Sequence, residues 1–199
     1  MQLYAWHVRP SVMQKMNHRQ QTLFPQNYKL AYGGIFRNKV RNRGARPLTF
    51  KGTLHVVMRS SMAKGAWSFQ NSKNKLKLSH FIQKFSNSKG VEIISLANVG
   101  NHFHMHVKVP NRALYKAWIR GLSSGIAMLT LGLNGLKQLK SSNKKFWDYR
   151  PFTRVINNFR SYINLKDYIQ INQLEGLGFA RMKAVLLIKG SHLYFKNSS

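Results

Sequence analysis

Three histidines alternate in the run Asn101-His102-Phe103-His104-Met105-His106. In an extended strand, residues two apart share a face. His102, His104 and His106 therefore project together, while Phe103, Met105 and Val107 turn the other way, toward a core. Two imidazoles ~7 Å apart along a strand can converge on one divalent ion, with a third ligand from another element. The chain has only 8 His in 199 residues, so three alternating within five positions depart from chance. A solvated strand face that carries histidines is the competing reading, and the pattern alone leaves both open. His106 has the weakest claim on a metal, since it lies further along and suits a contact with nucleic acid or solvent.

A second pair stands far downstream. Tyr168 and Asn172 are spaced i, i+4, so on a helix they share a face. A tyrosine phenolate can attack a DNA phosphate and form a covalent 5′-phosphotyrosine link, and an amide carbonyl one turn away can complete a metal site begun by two imidazoles. A helix Tyr packed in a core with its hydroxyl at the surface is the plainer reading. Tyr162 and Tyr149 are rival nucleophiles. Tyr162 has Lys166 at i+4 and no amide there, and Tyr149 lies in an aromatic run that reads as packing.

Composition narrows the chemistry. There are 33 Lys and Arg against 4 Asp and Glu, a formal net charge of +29. Such a chain attracts polyanions, and nucleic acid is the leading partner. The charge is spread along the whole chain, unlike the single amphipathic segment of a membrane-surface binder. No apolar window is long enough to span a bilayer, so no membrane partner is expected. Met1 to Met16 has no apolar stretch of the secretory kind; it is basic and acid-free, which also suits a mitochondrial presequence. With no cysteine, disulfides and thiolate metal sites are excluded. The acids are Glu92, Asp148, Asp167 and Glu175. Scattered in this way, they can hardly build the carboxylate cluster of a two-metal nuclease.

The elements that must position these groups can be read from periodicity. Residues 1–47 read as a basic N-terminal extension. Within it Arg37, Lys39, Arg41, Arg43 and Arg46 form an arm suited to phosphate contacts, or a solvated tail. Leu48 to Ser60 predicts a strand, Lys73 to Ser86 a helix, and Val91 to Ala97 with His102 to Val109 an antiparallel hairpin. Asn111 to about Leu131 predicts a second helix, followed by a basic connection over Gly132 to Lys145. Lys145 to Val155 reads as an edge strand on account of Pro151. Phe159 to Gln173 is the tyrosine helix, and Ala184 to Ile188 is strand-like. The order β-α-β-β-α-β-α predicts an α+β, ferredoxin-like fold: a four-stranded antiparallel sheet with helices on one face. The domain would run over residues 48–178, with a tail at 179–199 packing on or near it.

Asn101-His102-Phe103-His104, ending the strand-turn Leu96-Ala97-Asn98-Val99-Gly100, resembles the Asn-His-hydrophobic-His signature of the single-tyrosine HUH transposases. The segment Phe146-Trp147-Asp148-Tyr149-Arg150-Pro151-Phe152, then Val155-Ile156, then Tyr168-Ile169-Gln170-Ile171-Asn172, resembles that family's C-terminal block. The resemblance is nearest to the branch associated with repetitive extragenic palindromes and covers roughly residues 48–178. It implies that His102 and His104 bind Mg²⁺ or Mn²⁺ with Asn172 as third ligand, and that Tyr168 attacks the phosphate. The implied substrate is single-stranded or hairpin DNA, cleaved and rejoined without an external energy source. The protein would be a bacterial, cytoplasmic, nucleoid-associated enzyme, either a monomer or a dimer that exchanges the tyrosine helix.

Two other functions fit the composition. One is a non-catalytic basic nucleic-acid-binding protein, such as a ribosome-associated or mitochondrial ribosomal component, binding through basic loops and stacking aromatics. The other is a domesticated derivative that keeps the fold and binds hairpins but no longer transposes.

Overall fold

The computed structural model describes residues 30–34 and 46–196, the last six for their backbone alone. The strands are β1 (Ala31–Tyr32), β2 (Thr53–Arg59), β3 (Glu92–Asn98), β4 (His102–Lys108) and β5 (Phe152–Ile156). The helices are α1 (Ser72–Ser88), α2 (Arg112–Ser141), α3 (Phe159–Gly176) and α4 (Arg181–Lys196), with a 3-10 turn at Gly65–Trp67. All strand pairs are antiparallel, in the order β1-β5-β2-β4-β3. The expected α+β class is therefore the observed one.

The alternation of β2 and β4 explains the sheet's position. Leu54, Val56 and Met58 pair in register with Val107, Met105 and Phe103. All six are buried against Leu78 and Ile82 of α1 and Trp118, Leu122 and Ile126 of α2. Each such side chain contributes about 1.5–3 kcal/mol on burial, and one register slip would turn the whole set outward. The Trp118 indole N–H donates to Ser86 Oγ at 2.9 Å, so the largest core ring leaves no orphan donor. Asparagines start all three long helices. Asn71, Asn111 and Asn158 accept from the amides of Lys73, Leu114 and Ser161, relieving the free N–H groups of the first turn.

The opposite face of β2 and β4 is also covered. Leu165 and Ile169 of α3 are buried against Ala97 and Ile156, with Tyr162, Tyr168 and Val99 packed alongside. Helices α1 and α2 thus lie on one face, while α3 departs from the expected layering and lies on the opposite, histidine face, where Leu165 and Ile169 find Ala97 and Ile156 to bury against.

Four other details differ from the sequence reading. Ala31–Tyr32, inside the stretch read as an extension, adds a fifth strand beside β5. The second helix does not end at Leu131: it runs to Ser141 through a break at Gly132, whose φ of 64° and ψ of −177° only glycine adopts freely. Phe146 to Arg150 is a strap, not a strand. Its Trp147 indole donates to the Ser123 carbonyl at 3.0 Å, and Asp148 accepts from the Ser61 amide and hydroxyl at 2.8 Å. The strand-like Ala184 to Ile188 is helical, within α4. A short apolar run does not distinguish the two periods, and here Ala184 buries on α3 while Leu186 stays exposed.

Candidate active site

β4 places the three histidines on the α3 side of the sheet, in three different settings. The His102 Nδ1 lies 2.6 Å from Asn101 Oδ1. An amide oxygen only accepts, so a neutral His102 carries its proton on Nδ1 and leaves Nε2 with a lone pair. The His104 Nδ1 lies 3.2 Å from Nε2 of His55, a residue of β2. Those two rings are nearly parallel and meet nitrogen to nitrogen, with centroids 5.4 Å apart, and His102 meets His104 edge-on at 4.8 Å. His106 is fully buried, hydrogen bonded to Thr53 Oγ1 at 2.6 Å and covered by the Tyr162 ring at 4.7 Å. It belongs to the packing under the first turns of α3, apart from the other two.

Burial governs the electrostatics. It lowers His55 to about 3, helped by His106 and Arg154. It lowers His102 to about 4, with Arg59 adding to the effect. It holds His104 well below its ordinary value, helped by His55 and His102, and lowers His106 to about 4. All four rings are therefore neutral at pH 7, the form in which an imidazole can ligate a metal.

Helix α3 brings Tyr168 to this cluster. Its ring stands edge-on to His104 at 5.3 Å and to His55 at 6.0 Å. Asn172 is buried, and its Nδ2 donates to the Tyr168 carbonyl at 2.6 Å, so Oδ1 is the acceptor end of that amide. Burial raises the Tyr168 pKa; hydrogen bonding to Asn172 and the charge of Arg181 oppose the rise, and Glu175 adds to it. Arg181 and Glu175 pair at 2.9 Å where α3 turns into α4.

The far end of α3 is fixed by contacts the sequence does not advertise. The Asn98 amide donates to Gln173 Oε1 at 3.1 Å, and the Asn98 carbonyl accepts from the Gln70 side chain. Gly176 passes so close to that carbonyl that a Cβ would overlap it. These contacts, with Leu165 and Ile169 beneath, set the rotation of α3 that turns Tyr168 toward the histidines.

The structure thus brings together His102, His104 and Tyr168, with Asn172 one helical turn from Tyr168. The rival Tyr162 packs on His106, and Tyr149 sits in the exposed strap. Arg37, Lys39, Arg41 and Arg43 lie outside the described residues. Arg46 is within them, and its guanidinium is engaged by the protein: it donates to Tyr115 Oη at 3.0 Å, to the Pro151 carbonyl at 2.8 Å and to Thr153 Oγ1 at 2.7 Å, and stacks over Tyr32 at 4.7 Å. Sequence reasoning missed His55. Its only signal was its place on the outward face of β2, which gains meaning once β2 is paired with β4. Among the described residues no three His, Asp or Glu are grouped to hold a metal.

A family model described as "Transposase IS200 like" matches residues 49–172. No curated protein matches the chain. Among solved structures, one described as a REP-associated tyrosine transposase bound to a REP hairpin is 18% identical with a TM-score of 0.48, covering 67% of this chain and 73% of that one. Another, described as a candidate transposase of Deinococcus radiodurans R1, is 12% identical with a TM-score of 0.38, covering 65% and 97%. These two likenesses are too distant to carry an argument about the site.

Proposed function

The chain belongs to the IS200-like transposase family, and on that premise we propose that it cuts and rejoins single-stranded or hairpin DNA with Tyr168 as nucleophile. The observation that carries this reading is the edge-on approach of Tyr168 to His104, with Asn172 one helical turn away.

In the forward step the Tyr168 hydroxyl oxygen attacks a backbone phosphorus. The Oη–P bond forms, the P–O3′ bond breaks, and the departing 3′-oxygen takes up a proton. The 5′-phosphate stays on the tyrosine, so its energy is conserved, and a second 3′-hydroxyl can reverse the step on another strand. Tyr168 packs on the histidine strand of its own chain, so one chain is sufficient for this geometry.

The donor set suits Mg²⁺ or Mn²⁺ held by His102, His104 and Asn172. Both imidazoles are neutral and hydrogen bonded at Nδ1, and the Asn172 amide has already turned its nitrogen away. Bound there, a divalent ion supplies charge stabilisation at the scissile phosphate. The chain's own groups do the rest: Asn172 holds the tyrosine's turn of helix, and burial excludes water from the imidazoles.

A groove of about 480 Å³ on the same face, at the N-terminal end of α3, is lined by Lys51, Lys108, Tyr162 and the exposed ring of Phe159, with Glu92 as its one acid. It offers cations to phosphates and a stacking surface to a base. Among the described residues no helix is long and apolar enough to cross a membrane. A location beside the bacterial chromosome follows from this function.

The test is incubation with a 3′-labelled hairpin oligonucleotide and Mn²⁺. A labelled species of protein size on a denaturing gel is the expected result, lost with a chelator and in His102→Ala and His104→Ala. Equal hairpin binding with and without Mn²⁺, and no adduct, would instead favour the non-catalytic nucleic-acid-binding protein.

A further inference from the structure

We infer that His55 is a positioning residue for the site: by accepting a hydrogen bond from His104 Nδ1–H it fixes His104 in the tautomer whose Nε2 lone pair faces a metal ion. The inference rests on the reading of His104 as a ligand.

Geometry alone makes the two rings partners. His55 Nε2 lies 3.2 Å from His104 Nδ1, the rings are nearly parallel at 18°, and both residues are at least nine-tenths buried. Two neutral imidazoles that share this contact have one proton between the facing nitrogens, so one ring donates and the other accepts. If His104 accepted, its proton would sit on Nε2 and that nitrogen could not ligate. If His104 donates, Nε2 is free. The arrangement then repeats that of His102, whose Nδ1–H is bound by Asn101 Oδ1. Each imidazole would be oriented through Nδ1 by a partner that stays fixed, the arrangement that commonly sets ring direction and ligand basicity in metal sites.

The surroundings hold His55 in that role. It stands between Phe152 and Tyr168, edge-on to each at 6.0 Å. It comes from β2, which is hydrogen bonded to β4 on one side and β5 on the other. Its ring therefore cannot swing without disturbing the packing under the tyrosine helix.

The tautomer can be read directly in the intact, metal-free protein. Long-range ¹⁵N–¹H correlation should show His104 protonated on Nδ1; an Nε2–H tautomer overturns the inference. Variants give the second readout, Mn²⁺ affinity by electron paramagnetic resonance. His55→Phe fills the space without an acceptor and should weaken Mn²⁺ binding about 10–100-fold. His55→Gln, which presents an amide oxygen, should recover most of it. Mn²⁺ binding by His55→Phe equal to that of the parent overturns the inference, and if His55→Phe does not fold, a folded His55→Gln that binds Mn²⁺ about 10–100-fold more weakly than the parent does so. His104→Ala separates the failures: if it too binds Mn²⁺ normally, the ligand assignment itself is wrong, whereas loss in His104→Ala with none in His55→Phe removes only the role of His55.

Discussion

The Tyr168 ring stands edge-on to the His104 imidazole, with centroids 5.3 Å apart and planes at 89°. The two residues meet because α3 crosses the outer face of the sheet, with Leu165 and Ile169 buried under it and Gln173 tied to Asn98. The proposed nucleophile is thus held by a rigid element, the arrangement that keeps a reacting group within a fraction of an ångström of its target.

The first prediction concerns that docking. A valine at position 176 would overlap the Asn98 carbonyl. Gly176→Val should cost about 1–3 kcal/mol of stability and lower single-turnover cleavage at least tenfold by tilting α3. Gly178→Ala is the control: its φ of 96° strains any side chain, but nothing lies nearby. It should cost about 1 kcal/mol and leave cleavage unchanged. Urea midpoints and cleavage rates, measured side by side, decide this, and parent-like cleavage by Gly176→Val would show that the contact does not set the site.

A second prediction separates the basic residues proposed to bind DNA from an arginine that braces the fold. Alanine at Arg37, Lys39, Arg41 or Arg43 should weaken hairpin binding whatever its sequence and flatten the plot of log affinity against log salt by about one per residue. Arg46→Ala should leave that slope alone and instead lose about 2 kcal/mol of stability, since three hydrogen bonds converge on its guanidinium. A slope change in Arg46→Ala would return it to the DNA-binding set.

How much of this was legible depends on the range of the contacts. The alternation of β4 and the Tyr168–Asn172 spacing are local, and both lead to the site. His55 was not legible: its partner His104 is 49 residues away, and no spacing announces which strands will pair. Phe146 to Arg150 read as a strand because aromatics favour strands, but Trp147 and Asp148 are held by Ser123 and Ser61 instead. The side of the sheet on which α3 lies was equally hidden, since Thr53, His55 and His106 look like an open polar face until a helix buries them.

The third prediction is a pH dependence. The folded-state values of His55, His102 and His106 lie below the ordinary 6.5, at about 3, 4 and 4. Above about pH 7.5 neither the folded nor the unfolded chain protonates these rings appreciably, and stability is full. As pH falls from about 6.5 toward 4, the unfolded chain takes up protons that the folded one refuses, so stability drops. Burial of His55 alone makes this on the order of a few kcal/mol. Urea denaturation at pH 7.5, 6 and 4.5 should show a falling midpoint, with a shallower fall in His55→Phe. An equally steep fall in that variant would contradict the assignment.

The most direct measurement is the site of the DNA–protein bond. Cleavage of a hairpin substrate with Mn²⁺, nuclease trimming and tandem mass spectrometry of the adduct should place a nucleotide phosphate on Tyr168, and Tyr168→Phe should form no adduct while still binding the hairpin. A phosphate on Tyr162 or Tyr149, or an adduct that survives Tyr168→Phe, would contradict the account.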